Sequence, residues 1–208
     1  RKHMDSLAEI LSKYNFNTDK GNPHTYIEYY DKMFSGCREE QINLLEIGVF
    51  HGESMKLWSK YFTNVNLYGI DIFTRTEGNK KLDINYVNGN LKGYDVQLDV
   101  VDSCSESSDR KKIRDEYLSQ FEDGFFDIII DDGQHNSESQ TLTYNNFKNK
   151  VSKGGLYIIE DIKSWEDGGV RSGHTHLEHL QRDIKNLEIV LEGSNDNILG
   201  VIKGENIK

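Results

Sequence analysis

The chain reads as an α/β protein: a seven-stranded, mostly parallel sheet with an antiparallel last strand and helices on both faces. Three observations predict this. Four short apolar runs each end in a carboxylate or in a glycine beside one, as buried parallel strands do. Helix-like patterns separate those runs, which calls for right-handed crossovers. The last two apolar runs are joined by a short polar connection suited to a terminal hairpin.

The first run is INLLEIG (42–48), followed by the helical SMKLWSKYF (54–62). NLYGID (66–71) is the second, and YDVQLDV (94–100) a further strand. DRKKIRDEYLSQF (109–121) is helical and leads into FFDIIID (125–131). SESQTLTYNNFKNKV (137–151) then crosses to GLYIIED (155–161), and LEIVLEG (187–193) and NILGVIKG (197–204) form the hairpin. Ahead of the first strand, KYNFNTDKGNPHTYIEYYDKMF (13–34) is polar and aromatic and contains the sole proline. It is expected to supply a loop and a short helix folded over the ligand-binding edge.

At 208 residues the chain suits one domain, 5–208, with 5–40 as an N-terminal lid; no linker or repeat divides it. Arg1 to Met4 resemble an expression leader, and the natural chain is expected to begin near Asp5. With a formal charge of −10 and no long Lys/Arg block, wrapping a nucleic acid is disfavoured. No run of eighteen apolar residues predicts membrane insertion, and no signal peptide is visible. Cys37 and Cys104 have neither metal nor redox spacing, which fits a reducing, cytoplasmic setting.

EIGVFHGES (46–54) lies where the first strand passes into its helix. Gly48 and Gly52 permit a tight turn close to a ligand, and the helix start through Ser54 offers free N–H groups. The G-x-G-x-x-G spacing is absent, and Glu46 is a poor companion for a pyrophosphate but a good one for a cationic or amino-acid-bearing ligand. Asp71 ends the second strand where a carboxylate can accept both hydroxyls of a ribose. Asp99 would reach the adenine side of such a nucleoside, with Asp102 as its competitor.

Asp131 and Asp132 end one strand, and Glu160 and Asp161 end another. If these strands are neighbours, four carboxylates converge on one rim, and like charges so crowded need a cation or a proton. Asp132, Glu160 and Asp161 are the expected ligands of a hard cation, Mg²⁺ or Mn²⁺, while Asp131 serves behind them or toward the cofactor. His135, three residues after Asp132, can fold back as general base. The bland alternative is a DDG turn with Asn136 or Ser137 capping the next helix. His174, His176 and His179 are metal-like in number, but a loop-and-helix surface explains them without zinc.

Together TDKGNPHTY (18–26), LLEIGVFHGESMKLW (44–58), YGID (68–71), DIIIDDGQH (127–135) and GGLYIIED (154–161) resemble the metal-dependent S-adenosylmethionine sugar O-methyltransferases that modify macrolide deoxysugars, as in mycinamicin and tylosin biosynthesis. The resemblance implies a class I methyltransferase, Rossmann-like fold. It implies Mg²⁺ on Asp132, Glu160 and Asp161, His135 as base, and Glu46, Gly48 and Asp71 in the cofactor pocket. The acceptor would be a hydroxyl of a small-molecule or glycan sugar such as rhamnose, contacted by His24, Tyr26 and Trp165, which ordinary packing explains equally well. Assembly as a homo-oligomer stays open, because the N-terminal structure those enzymes use for assembly is short here. The rival readings are a catechol-type methyltransferase, an NAD-linked oxidoreductase using Asp71, and a non-catalytic sugar-binding module.

Overall fold

In the computed structural model, which describes residues 3–167 and 171–207, alternation of apolar side chains along each central strand builds two cores. Helices α1 (Leu7–Tyr14) and α2 (Ile27–Phe34) precede β1 (Gln41–Ile47), α3 (Glu53–Tyr61) and β2 (Asn64–Asp71). A small hairpin, β3 (Thr76–Glu77) and β4 (Lys80–Lys81), leads to α4 (Ile84–Asn90), β5 (Val96–Val100) and α5 (Ser108–Leu118). Then come β6 (Phe126–Asp131), α6 (Ser137–Phe147), β7 (Val151–Ile162), α7 (His176–Asp183), β8 (Glu188–Glu192) and β9 (Ile198–Lys203).

The main sheet has the order β5-β2-β1-β6-β7-β9-β8. β5, β2, β1, β6 and β7 run parallel, and β9 pairs antiparallel with both β7 and β8. This is the expected mostly parallel sheet with its terminal antiparallel hairpin. Leu44, Ile128, Ile130 and Ile158 face the core shared with α1 to α4. Leu45, Ile129, Tyr157 and Ile159 face that of α5, α6 and α7. The period of two assigns neighbours to opposite faces.

The N-terminal segment is more than a cover. Leu7, Ile10, Tyr30 and Phe34 are buried in the first core, where Tyr30 and Phe34 pack edgewise on Trp58. Helix α1 starts at a capping box: Glu9 N–H donates to Ser6 Oγ and Ser6 N–H to the Glu9 carboxylate. Strand order places the reversal of winding between β1 and β6, the position where open α/β sheets bind ligands beyond their strand tips.

Candidate active site

Register sets the site. Asp131 pairs with Ile47 on one side and Ile159 on the other, so Gly48, Asp132 and Glu160 leave three adjacent strands at one level. Gly48 has φ +88°, and a Cβ there would lie 2.0 Å from the carbonyl oxygen of Asp132. Only glycine lets these two strand ends approach so closely. Gly52, at φ +85°, caps α3 against Leu91 and lies outside the cavity lining.

Over these tips lies a cavity of about 550 Å³ whose lining includes Glu46, Gly48, Ser54, Asp71, Asp132 and His135. Asp71 is held by backbone amides: Val49 N–H donates to Oδ2 at 2.8 Å and Phe73 N–H to Oδ1 at 3.0 Å. Glu46 is buried, and its oxygens accept from the Ser54 hydroxyl and, at 2.7 Å, from Trp58 Nε1. Its carboxylate is therefore occupied by the protein's own donors. Burial raises its pKa against the opposing pull of Lys20.

Asp102 lines the cavity; Asp99 does not. β5 ends at Val100, which leaves Asp99 inside the strand, accepting from Gln97 Nε2 at 3.3 Å. Asp102, in the loop beyond, accepts from the amides of Cys104 and Ser105 and from Arg110. Of the two competitors, Asp102 is the one that lines the cavity.

His135 stands between two carboxylates, with Nε2 3.2 Å from Asp132 Oδ1 and Nδ1 3.2 Å from Asp161 Oδ2. Ligand atoms of Asp132, His135 and Asp161 all lie within 4.8 Å of one another, a spacing that fits a metal ion. Burial alone would depress the imidazole, but its hydrogen bond to Asp132 and the charges of Asp132 and Asp161 lift it to about 9. Asp132 itself is held below the usual carboxylate range because Lys20 and His135 outweigh its burial. Burial and the charge on Asp132 push Glu160 and Asp161 upward.

Glu160 and Asp161 are consecutive yet both serve the rim. Asp161 has φ +54°, a left-handed backbone, and β7 shifts register against β9 between Ile159 and Ile162. This bulge turns Asp161 toward His135. Tyr26 braces it: the hydroxyl donates to Asp161 Oδ1 at 2.7 Å and accepts from its amide at 3.0 Å. His24 stacks on Tyr26 with centroids 4.9 Å apart, and its Nε2 is 3.3 Å from Asp161 Oδ1. Both expected acceptor contacts are thus buried supports of Asp161, outside the cavity lining. Trp165 is 45% exposed and also outside that lining.

Asp131 is buried; its Oδ1 accepts from Gly133 N–H at 3.2 Å while Oδ2 has no partner. Burial lifts it to about 7. The residue that sequence reasoning missed is Lys20. Its ammonium donates to Glu160 Oε2 at 2.7 Å and Asp132 Oδ2 at 2.9 Å, and lies 3.6 Å from Glu46 Oε1. TDKGN contains it, but a lysine in a polar stretch reads as a solvated one.

The three downstream histidines form no metal group among the described residues. His174 is exposed beside Glu178, whereas buried His176 accepts from Lys163 N–H and pairs with Gln140. No helix among the described residues is long and apolar enough to cross a membrane.

The chain is 31% identical over 163 residues to mycinamicin VI 2''-O-methyltransferase of Micromonospora griseorubida, covering 75% of this chain and 36% of that protein. It is 27% identical over 170 residues to 8-demethyl-8-alpha-L-rhamnosyl tetracenomycin-C 2'-O-methyltransferase of Streptomyces olivaceus, covering 78% and 39%. The chain therefore spans less than two-fifths of the length of these curated relatives. Among solved structures it resembles MycE methyltransferase from the mycinamycin pathway in complex with Mg, SAH and mycinamycin VI, with TM-score 0.65 and 26% identity over 98% of this chain and 56% of that one. The family model described as a methyltransferase domain matches residues 45–162, which span the glycine turn, Asp71, the Asp132–His135 segment and the Glu160–Asp161 pair. By that match the chain belongs to the methyltransferase domain family.

Proposed function

We propose that residues 5–208 form a metal-dependent O-methyltransferase unit that transfers the methyl group of S-adenosylmethionine to a hydroxyl of a sugar, a deoxysugar or glycan residue such as rhamnose. The observation that carries this is the shared cavity: the Gly48 turn and Asp71 line it together with Asp132 and His135, whose imidazole stands between Asp132 and Asp161. The names of the relatives support the acceptor class: one is a 2'-O-methyltransferase of a rhamnosyl tetracenomycin and the other a 2''-O-methyltransferase of mycinamicin VI. The two free cysteines fit work in a reducing compartment, the cytoplasm.

Gly48 and the amide-fixed Asp71 would seat the cofactor's amino-acid and ribose portions, with Asp102 toward the base. Asp132, Glu160 and Asp161 would hold Mg²⁺ or Mn²⁺, whose preference for hard oxygen ligands matches this set. Bound there, the ion would lower the pKa of a coordinated acceptor hydroxyl. With a divalent cation held by Asp132 and Asp161, the carboxylate charges that raise the His135 imidazole would be largely offset, and His135 would serve as the base near pH 7. The acceptor's proton would pass to a ring nitrogen of His135, whose Nε2 and Nδ1 are oriented by Asp132 and Asp161. The acceptor oxygen, relieved of its proton, takes the methyl group and leaves a methyl ether and S-adenosylhomocysteine. Alignment within the cavity supplies the rest of the acceleration.

Methyl-transfer assays on rhamnosides and catechols, with and without EDTA, test the reading. Sugar methylation abolished by EDTA is expected, and methylation undiminished by complete metal removal would refute the metal dependence. His135→Ala is expected to keep S-adenosylhomocysteine binding and lower turnover by about 10²–10⁴-fold.

A further inference from the structure

Lys20 is 1% exposed, and its ammonium reaches the tips of three strands: Glu46 of β1, Asp132 beyond β6 and Glu160 of β7. Its backbone is fixed as well, with Tyr26 N–H donating to the Lys20 carbonyl at 3.0 Å. A lysine buried to this degree, on a loop otherwise rich in polar residues, is held by the charges it meets. Glu46, Asp132, Glu160 and Asp161 carry four negative charges when ionised, and Lys20 is the ammonium placed among them. Glu160 accepts from Lys20 on one oxygen and from the Tyr30 hydroxyl on the other. Asp132 turns one oxygen to Lys20 and the other to His135.

We propose that Lys20 is a positioning residue, the resident counter-ion of this rim, which shares Asp132 and Glu160 with the divalent cation and thereby weakens cation binding while freeing folding from dependence on it. This rests on the metal-dependent reading above. A positive charge within 3 Å of two ligands opposes a second cation directly, so the ion stays exchangeable. The same charge compensates the carboxylates when no ion is bound, so the strand tips and the N-terminal segment meet in either condition. In small metal domains the binding free energy of the ion is folding free energy, and folding waits for the metal. Lys20 also ties the first strand's glycine turn, to which Glu46 belongs, to the rim formed by Asp132 and Glu160.

The test is Mn²⁺ titration followed by electron paramagnetic resonance, with thermal unfolding in EDTA and in saturating Mn²⁺, on the wild type, Lys20→Met and Tyr30→Phe. Lys20→Met is expected to bind Mn²⁺ at least about tenfold more tightly, to melt lower in EDTA and to recover that loss in Mn²⁺. Tyr30→Phe removes a neutral donor from Glu160 and leaves the ammonium, so its Mn²⁺ affinity should stay within about threefold of the wild type. Damage to the fold alone would loosen the ion, so tighter binding is a result that a merely structural role does not give. Unchanged or weaker Mn²⁺ binding by Lys20→Met with a native circular dichroism spectrum overturns the proposal and leaves the metal-dependent reading standing. No Mn²⁺ binding by the wild type overturns both. Should Lys20→Met give no folded protein even with Mn²⁺, Lys20→Gln takes the same titration against the same two outcomes.

Discussion

The carboxylate pairs Asp131–Asp132 and Glu160–Asp161 end neighbouring strands, yet they tolerate burial by different means. In the first pair the members divide as strand alternation dictates: Asp131 faces the interior with one oxygen unpartnered and a pKa near 7, and Asp132 faces the rim with Lys20 and His135. In the second, a left-handed backbone at Asp161 brings both members to the rim, each braced by a tyrosine hydroxyl. The first pair depends on a proton and on the missing side chain of Gly48. The second depends on its own backbone and on aromatic donors from the N-terminal segment.

The largest expected effect breaks the first pair alone. Gly48→Ala would place a methyl 2.0 Å from the Asp132 carbonyl at a φ of +88°, and should cost roughly 3–4 kcal/mol in a urea midpoint measurement. Next comes a contrast between the pairs. Asp161→Asn should weaken Mn²⁺ binding by on the order of 100-fold, whereas Asp131→Asn should leave it within a few fold, because only Asp161 belongs to the clustered ligand atoms. Equal losses in both variants would show that the division between the pairs is false.

The smallest effect is a dependence on pH in EDTA. Asp131 and His135 are both raised in the folded protein, to about 7 and about 9, so the folded state binds their protons more tightly than the unfolded chain does. The His135 contribution is complete below about 6.5 and is lost as pH climbs through 9, and that of Asp131 is complete below about 4 and is lost by about 7. Urea midpoints should fall from pH 4 to 9.5, and Asp131→Asn should flatten the part of the curve below about pH 7 while leaving the part above it unchanged.

Legibility followed the range of each interaction. INLLEIG, NLYGID, FFDIIID and GLYIIED correspond to β1, β2, β6 and β7, because continuous apolar runs follow directly from burial on both faces. The 76–81 hairpin has strands of two residues, too short for any period, and α4 contains Gly89 and three asparagines and is held by its Asp83 cap and buried Val87. Helix α1 did carry a local signal, the Ser6-x-x-Glu9 capping box. The rim carboxylates were legible because strand ends announce themselves. Lys20 was not, since its partners Asp132 and Glu160 lie more than a hundred residues away in the chain. His24 and Tyr26 were legible as chemistry, and their place behind Asp161 depends on how the 15–26 loop meets the end of β7.

The bulge at the end of β7 has a consequence for how this rim can change over time. An unbroken pleat would send Glu160 and Asp161 to opposite sides, and the extra residue restores Ile162 to its pairing with Ile198. The chemistry is therefore written in residue count as well as in residue type. Losing one position between 159 and 162 could leave every acidic letter in place and still turn one of them away, so insertions and deletions here are more dangerous than most substitutions.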